Sequence, residues 1–158
     1  MFGHLGFSYI GLIFLLMLAV PNILWSRQKP ADYNDEGESG ILLMLERIGQ
    51  LGCAVCMLMF SNFNVGEASP WNAWLVVAFI LMGLYELCWF KYFKGRKRAK
   101  DMYRSFFGIP VPLAVFPVSA FLLLGIYGKV IWMILFAVIL GVGHIGIHVQ
   151  HAKNLGVI

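Results

Sequence analysis

IPVPLAVFPVSAFLLLGIYGKVIWMILFAVILGVGHIGIHVQH, residues 109 to 151, is the stretch whose reading decides the fold. It is almost entirely apolar and too long for one membrane helix, since about 20 apolar residues cross roughly 30 Å of hydrocarbon. Tyr127-Gly128-Lys129 interrupts it. A glycine followed by a charge favours a turn there. The stretch therefore predicts two spans, about 109–127 and 130–151, folded as a tight hairpin. Three runs of similar length precede it, at about 7–25, 41–60 and 74–93. The expected fold is an all-α integral membrane protein. Five transmembrane helices would form one membrane domain over residues 1–158.

Composition agrees with that reading. The chain is 60% hydrophobic and 13% charged, whereas soluble domains carry about 25% charged residues. With three cysteines, no disulfide framework is implied. No basic region precedes the first apolar run and no small-residue cleavage site follows it, so that run is expected to remain as a helix.

The basic residues set the orientation, because cytoplasmic loops concentrate Lys and Arg. Arg27 and Lys29 follow the first run, seven basic residues from Lys91 to Arg104 follow the third, and Lys153 follows the fifth. The opposite side has only Lys129. This predicts an external N-terminus and a cytoplasmic C-terminus. Trp25 and Trp89 are expected at the inner interface, and Trp71, Trp74 and Trp132 at the outer one. The acidic end of the first inner loop, Asp35, Glu36 and Glu38, precedes the second helix, with Ser39 as its expected N-cap. The second inner loop is basic and then aromatic, with Met102, Tyr103, Phe106 and Phe107. Its first reading is an ordinary loop that sets the topology; the alternative is a segment lying at the interface against anionic lipid. Orientation accounts for the positive charge, so no nucleic-acid role is implied.

With this topology, polar groups gather at one depth. Asn22, Glu46, Gln50, Glu86, His144 and His148 all fall about 6 to 13 Å inside the cytoplasmic edge, at 1.5 Å per helical residue. Ionisable groups at that depth are costly and face a protein interior or a wet cavity. His144, His148 and His151 have i, i+4, i+7 spacing, which places them on one helical stripe. Glu46, Gln50 and Cys53 repeat that spacing on the second helix. Arg47 points away from Glu46 and is expected to reach phosphate or a neighbouring carboxylate.

Several chemistries are compatible with such a cluster. A divalent metal can be held by His144, His148 and His151 with glutamate help, although the Glu-x-x-His and His-Glu-x-x-His signatures are absent. Without metal, the histidines can act as general bases and Glu46 and Glu86 as acids. In a purely structural reading they hold helices together. Bis-histidine haem is not expected within one chain, because the remaining histidine, His4, is expected on the other face; a five-coordinate haem or a haem site across a dimer stays open. Cys53-x-x-Cys56 sits within an apolar helix, where thiols are inert, and reads as packing. No Gly-x-Ser-x-Gly and no phosphate-binding glycine loop occurs. Gly141, Gly143 and Gly146 border the histidine stripe and permit either close packing or room for a ligand.

The pattern resembles small bacterial integral membrane proteins, and no motif transfers a residue role from a characterised family. The functional expectation is a plasma-membrane enzyme or binding protein for an amphiphilic, lipid-like ligand. Glu46, Glu86, His144 and His148 would form the site, supported by Asn22, Arg47 and Gln50. Membrane lipid is the expected partner, and a homo-oligomer is compatible. The alternatives are a dimeric small-molecule or proton-coupled transporter and a structural or assembly subunit of a membrane complex.

Overall fold

Helix boundaries follow local chemistry. Ser8 caps the first helix: its Oγ accepts from the Gly11 amide at 2.9 Å. In a computed structural model, which describes residues 2–34 and 37–158, this helix is α1, Tyr9–Ser26. It is followed by α2, Gly40–Met59, α3, Ala73–Lys94, and a single turn α4, Ala99–Met102. Next come α5, Pro112–Gly128, and α6, Ile131–Leu140. A π-helical turn, Gly141–Ile145, then leads directly into α7, Gly146–Asn154. Met1, Asp35 and Glu36 lie outside the described residues, so the acidic loop is seen only through Glu38.

The protein is all-helical, with no strand among the described residues. Four helical stretches are long and apolar enough to cross a membrane: Tyr9–Ser26, Gly40–Met59, Pro70–Lys94 and Ile131–Asn154. The expected fourth span is shorter. It starts at Pro112 rather than 109, because Pro110 and Pro112 punctuate the chain and Val111 takes a left-handed backbone with φ 42. Pro112 then stands in the first turn, where its missing N–H costs nothing. The expected fifth span is not one α-helix: a π turn that contains Gly141 and Gly143 interrupts it just before Gly146, and the helix runs on to Asn154.

The helices close a ring. α1 packs on α2, α2 on α6 and the π turn, α6 on α5, α5 on α3, and α3 back on α1. α5 is the most enclosed, with 12 of its 17 residues buried, against four of 18 in α1. A uniformly apolar helix belongs in such a place. Outward faces are apolar as well: Leu16, Val20, Leu51, Val76, Ile80 and Val138 are all more than half exposed. An apolar belt of this extent matches a lipid environment.

One end of the ring is sealed by the N-terminal segment. Gly6 and Ser8 amides donate to the Met59 and Leu58 carbonyls, and Ser61 donates to the His4 carbonyl. Trp71 Nε1 donates to the Tyr127 carbonyl at 2.9 Å, and Phe63 and Val130 are fully buried there. The other end is covered by the loops that follow α1 and α3. Gln150 Nε2 donates to the Gly37 carbonyl at 2.7 Å, and the Ala99 amide donates to Asp32 Oδ1 at 3.1 Å. Ser39 holds the N-cap position of α2 without a side-chain capping bond.

Several aromatic side chains near this end turn inward. Trp89 is 3% exposed and lines the interior rather than facing lipid, and Trp25, half-buried, reaches the same cavity. Met102 and Tyr103 are buried rather than spread on a surface. The cause is shared: α4 folds back over the open end of the ring, and these side chains fill it.

Candidate functional site

The ring encloses a cavity of about 550 Å³ with walls from all five long elements. Its residues run along α2 from Glu46 to Met57 and along α6, the π turn and α7 from Leu140 to His151. Each stretch is on the order of 17 Å at the helical rise, so the cavity is an elongated shaft. Such a volume is ordinary for a small-molecule site. Leu15, Leu18, Ala54, Met57, Pro117 and Phe121 make its deeper part apolar. Its other end is polar.

Three histidines define the polar end. His144 Nδ1 lies 2.5 Å from Glu46 Oε1, and Gln50 Nε2 donates to the same oxygen at 3.1 Å. In the neutral tautomer that donates its Nδ1 proton to Glu46, His144 would present the lone pair of Nε2, the arrangement of a carboxylate-oriented base. His151 repeats it at the mouth, its Nε2 2.6 Å from Glu38 Oε1. His148 stands between the two pairs. Its ring centroid is 4.4 Å from that of His144 and 5.4 Å from that of Tyr103. Its Nδ1 is buried without a hydrogen-bond partner among the described residues.

Close helix approach sets these distances. A Cβ on Gly143 would run into the Glu46 amide and the Leu42 carbonyl, and one on Gly49 would meet the Leu140 backbone at 2.5 Å. The glycines beside the stripe therefore serve packing and bring His144 onto Glu46. On the opposite wall, Pro21 has no N–H and disturbs the carbonyl pairing of α1. Asn22 Nδ2 donates to the Leu18 carbonyl and to the Tyr85 hydroxyl, both at 2.7 Å. Asn22 and Tyr85 both line the shaft.

The geometry brings together Glu46, Gln50, His144 and His148, with Asn22 across the cavity and His151 at the mouth. It does not bring in Glu86 or Arg47. Glu86 is not part of the cavity wall, where α3 presents Tyr85 and Trp89 instead. One Glu86 oxygen is buried without a hydrogen-bond partner among the described residues. Arg47 is exposed and forms no ion pair among them. The metal expectation gains no support: among the described residues no group of three or more His, Cys, Asp or Glu side chains is arranged to hold an ion. Cys53, Cys56 and Cys88 are free and buried.

Four site residues escape a helix-periodicity reading: Glu38, Tyr33, Tyr103 and Tyr85. Tyr33 and Tyr103 lie with ring centroids 5.7 and 5.6 Å from that of His151. Burial, helped by nearby Tyr33 and Glu38, pushes the Tyr103 phenol above its ordinary value. Both loop tyrosines flank charged or turn residues, so only the folding of the loops onto α7 reveals them. Compared with protein-family models, with curated proteins and with solved structures, the chain finds no match in any of the three.

Proposed function

We propose that this is a membrane protein that takes a single-tailed amphiphile into its central shaft and handles a proton on the head group. The carrying observation is the polarity of the shaft: two Glu–His pairs and a histidine nitrogen without a partner among the described residues at one end, hydrocarbon at the other. The head group would sit among Glu46, His144 and His148, with His144 Nε2 as the base. His151 and Glu38 pass or hold a proton at the mouth. The tail would follow the shaft past Ala54 toward Met57. About 550 Å³ spread over roughly 17 Å leaves a mean section on the order of 30 Å². That is narrow, which favours one chain over a broad ring system.

In this reading all five long elements cross the membrane. α5 is about 26 Å long by its rise, slightly short for the hydrocarbon core, and its neighbours shield it. The polar end and the basic loops face the cytoplasm of a bacterial plasma membrane, by the placement of Lys and Arg. The cavity is complete within one chain, and the far end is packed with Phe63, Val130 and Tyr127. Both features favour a binding protein or enzyme over a dimeric carrier.

The test is ligand retention. Protein purified in mild detergent is extracted with organic solvent, and the bound amphiphile is identified and counted. Ala54→Phe fills the shaft below Gln50 without touching the histidines. It is expected to abolish the co-purifying amphiphile while the protein stays folded. A folded Ala54→Phe variant that still carries the same molecule at the same stoichiometry sinks the proposal.

A further inference from the structure

The inner end of the bundle holds a second cavity, of about 650 Å³, between the end of α3, the turn α4 and the start of α5. Its wall carries Lys91, Arg96, Arg98, Lys100 and Arg104 against one acid, Asp101. That acid is already engaged: Arg104 is 3.9 Å from it, and the Arg98 amide donates to it at 3.4 Å. Among the described residues no other carboxylate forms an ion pair with any of these cations. Five like charges around one occupied carboxylate repel one another until an anion joins them.

Orientation in the membrane requires basic residues in this loop, but it does not require them to surround a pocket. The backbone is bent to form one. Lys97, Phe107 and Val111 all adopt left-handed φ, at 52, 51 and 42, where side chains other than glycine rarely settle. The result is a two-sided pocket. Guanidinium and ammonium groups form the rim, and Tyr92, Phe106 and Leu113 contribute an apolar floor. The Lys91 Nζ lies 4.3 Å from the Phe106 ring centroid. Phe107, beside it, is 83% exposed. A cationic rim, an apolar floor and an exposed aromatic at the membrane edge fit a phosphate that carries hydrocarbon. Arginine forks match phosphate oxygens in pairs, and basic pockets between membrane helices suit anionic head groups.

We infer that this pocket binds the phosphate of an anionic phospholipid, separately from the ligand of the central shaft. The two cavities share only Met102 and Leu113, which form a wall between them. Phosphate is the recognised chemistry, and the lipid is its source because the pocket opens beside the lipid-facing surface.

The experiment uses the intact protein in neutral detergent, with lipid occupancy read by native mass spectrometry. Probes are phosphatidylglycerol, phosphatidylcholine and inorganic phosphate. Phosphatidylglycerol is expected to bind at least tenfold tighter than phosphatidylcholine. Arg96→Gln with Arg98→Gln should weaken it roughly thirtyfold, from the worth of two basic residues at an anionic surface. Lys94→Gln with Lys153→Gln removes the same charge from exposed positions at the same end of the bundle, neither of them in the pocket wall, and should change binding less than threefold. Ala54→Phe should leave phosphatidylglycerol binding intact. Equal losses in the two charge-matched pairs would reduce the effect to general attraction and overturn the site. Equal binding of the two lipids overturns it as well. Displacement of the lipid by an equal concentration of inorganic phosphate overturns the lipid assignment. Should Arg96→Gln with Arg98→Gln fail to fold, Lys100→Gln with Arg104→Gln carries the same comparison.

Discussion

Gly143→Ala places a methyl group in the seam between the π turn and α2. The added Cβ would stand 2.7 Å from the Leu42 carbonyl oxygen and 2.8 Å from Glu46 Cα, with the Glu46 amide nitrogen closer still. All three are backbone atoms, so no rotamer change relieves them. Ordinary contact begins at 3.4 Å. The nearest of the three sets the movement, so the helices must part by roughly 1 Å, a gap that forfeits about half of each dispersion contact it opens. Overpacking of this kind costs about 1–3 kcal/mol, and the helix preference of Ala over Gly returns up to about 1 kcal/mol. Because the clash is with backbone, the upper part of that range applies, about 2–3 kcal/mol, and the expected net loss is about 1–2 kcal/mol. The same movement stretches the 2.5 Å His144–Glu46 contact toward the outer limit of hydrogen bonding. Gly146→Ala is the control in the same segment. Its Cβ meets only Leu42 side-chain carbons, the nearest at 3.1 Å, and these can move. It should be neutral or slightly stabilising. Unfolding of the purified proteins, followed by tryptophan fluorescence, compares the three stabilities. Nitrogen-labelled histidine spectra report whether the His144 Nδ1 proton has shifted. Equal stability of Gly143→Ala and Gly146→Ala, with an unchanged His144 signal, refutes the close approach and the positioning argument with it.

Three further outcomes are expected. A reporter fused after Ile158 should be cytoplasmic and one fused at Met1 external; the reverse would place the polar end of the shaft and the basic pocket on the outer face. Cys53→Ala with Cys56→Ala should cost on the order of 1 kcal/mol of stability per site and leave amphiphile retention unchanged, whereas a folded double variant without ligand would revive thiol chemistry. Tyr103 is held neutral by burial, with a raised folded value against about 10 in the unfolded chain. Its contribution is present below pH 10 and is lost as pH rises beyond it, because only the unfolded phenol then releases its proton. Melting temperatures at pH 9 and pH 11 should fall less in Tyr103→Phe than in the parent protein, and identical falls would mean that the phenol is not buried against His148 and His151.

Periodicity and depth reach as far as the shared alignment of helices allows. The apolar runs mark the membrane helices because hydrocarbon sets a minimum length that no other environment demands. Glu46, Gln50, His144 and His148 are legible as partners because isolated ionisable groups at that depth are costly. Depth, however, is one coordinate. It leaves rotation about each helix axis open, and rotation separates Tyr85, which faces the shaft, from Glu86, which does not. Arg47 fails to join the site for the same reason.

The sequence by itself determined an all-helical membrane protein, where its helices begin and break to within a few residues, and which polar groups share a layer. Only the tertiary structure decided how the helices close into a ring, that α5 stands at its most enclosed position, and that a π turn at Gly141–Ile145 seats His144 on Glu46. It also decided the fate of the loops. Glu38, Tyr33 and Tyr103 look like ordinary loop residues until α7 presents His151 to them and Gln150 ties Gly37 down. The physical reason is common to all of these cases. Hydrophobicity acts along the chain and can be read there, whereas the direction of a side chain and the folding of a loop depend on contacts with elements far away along the chain.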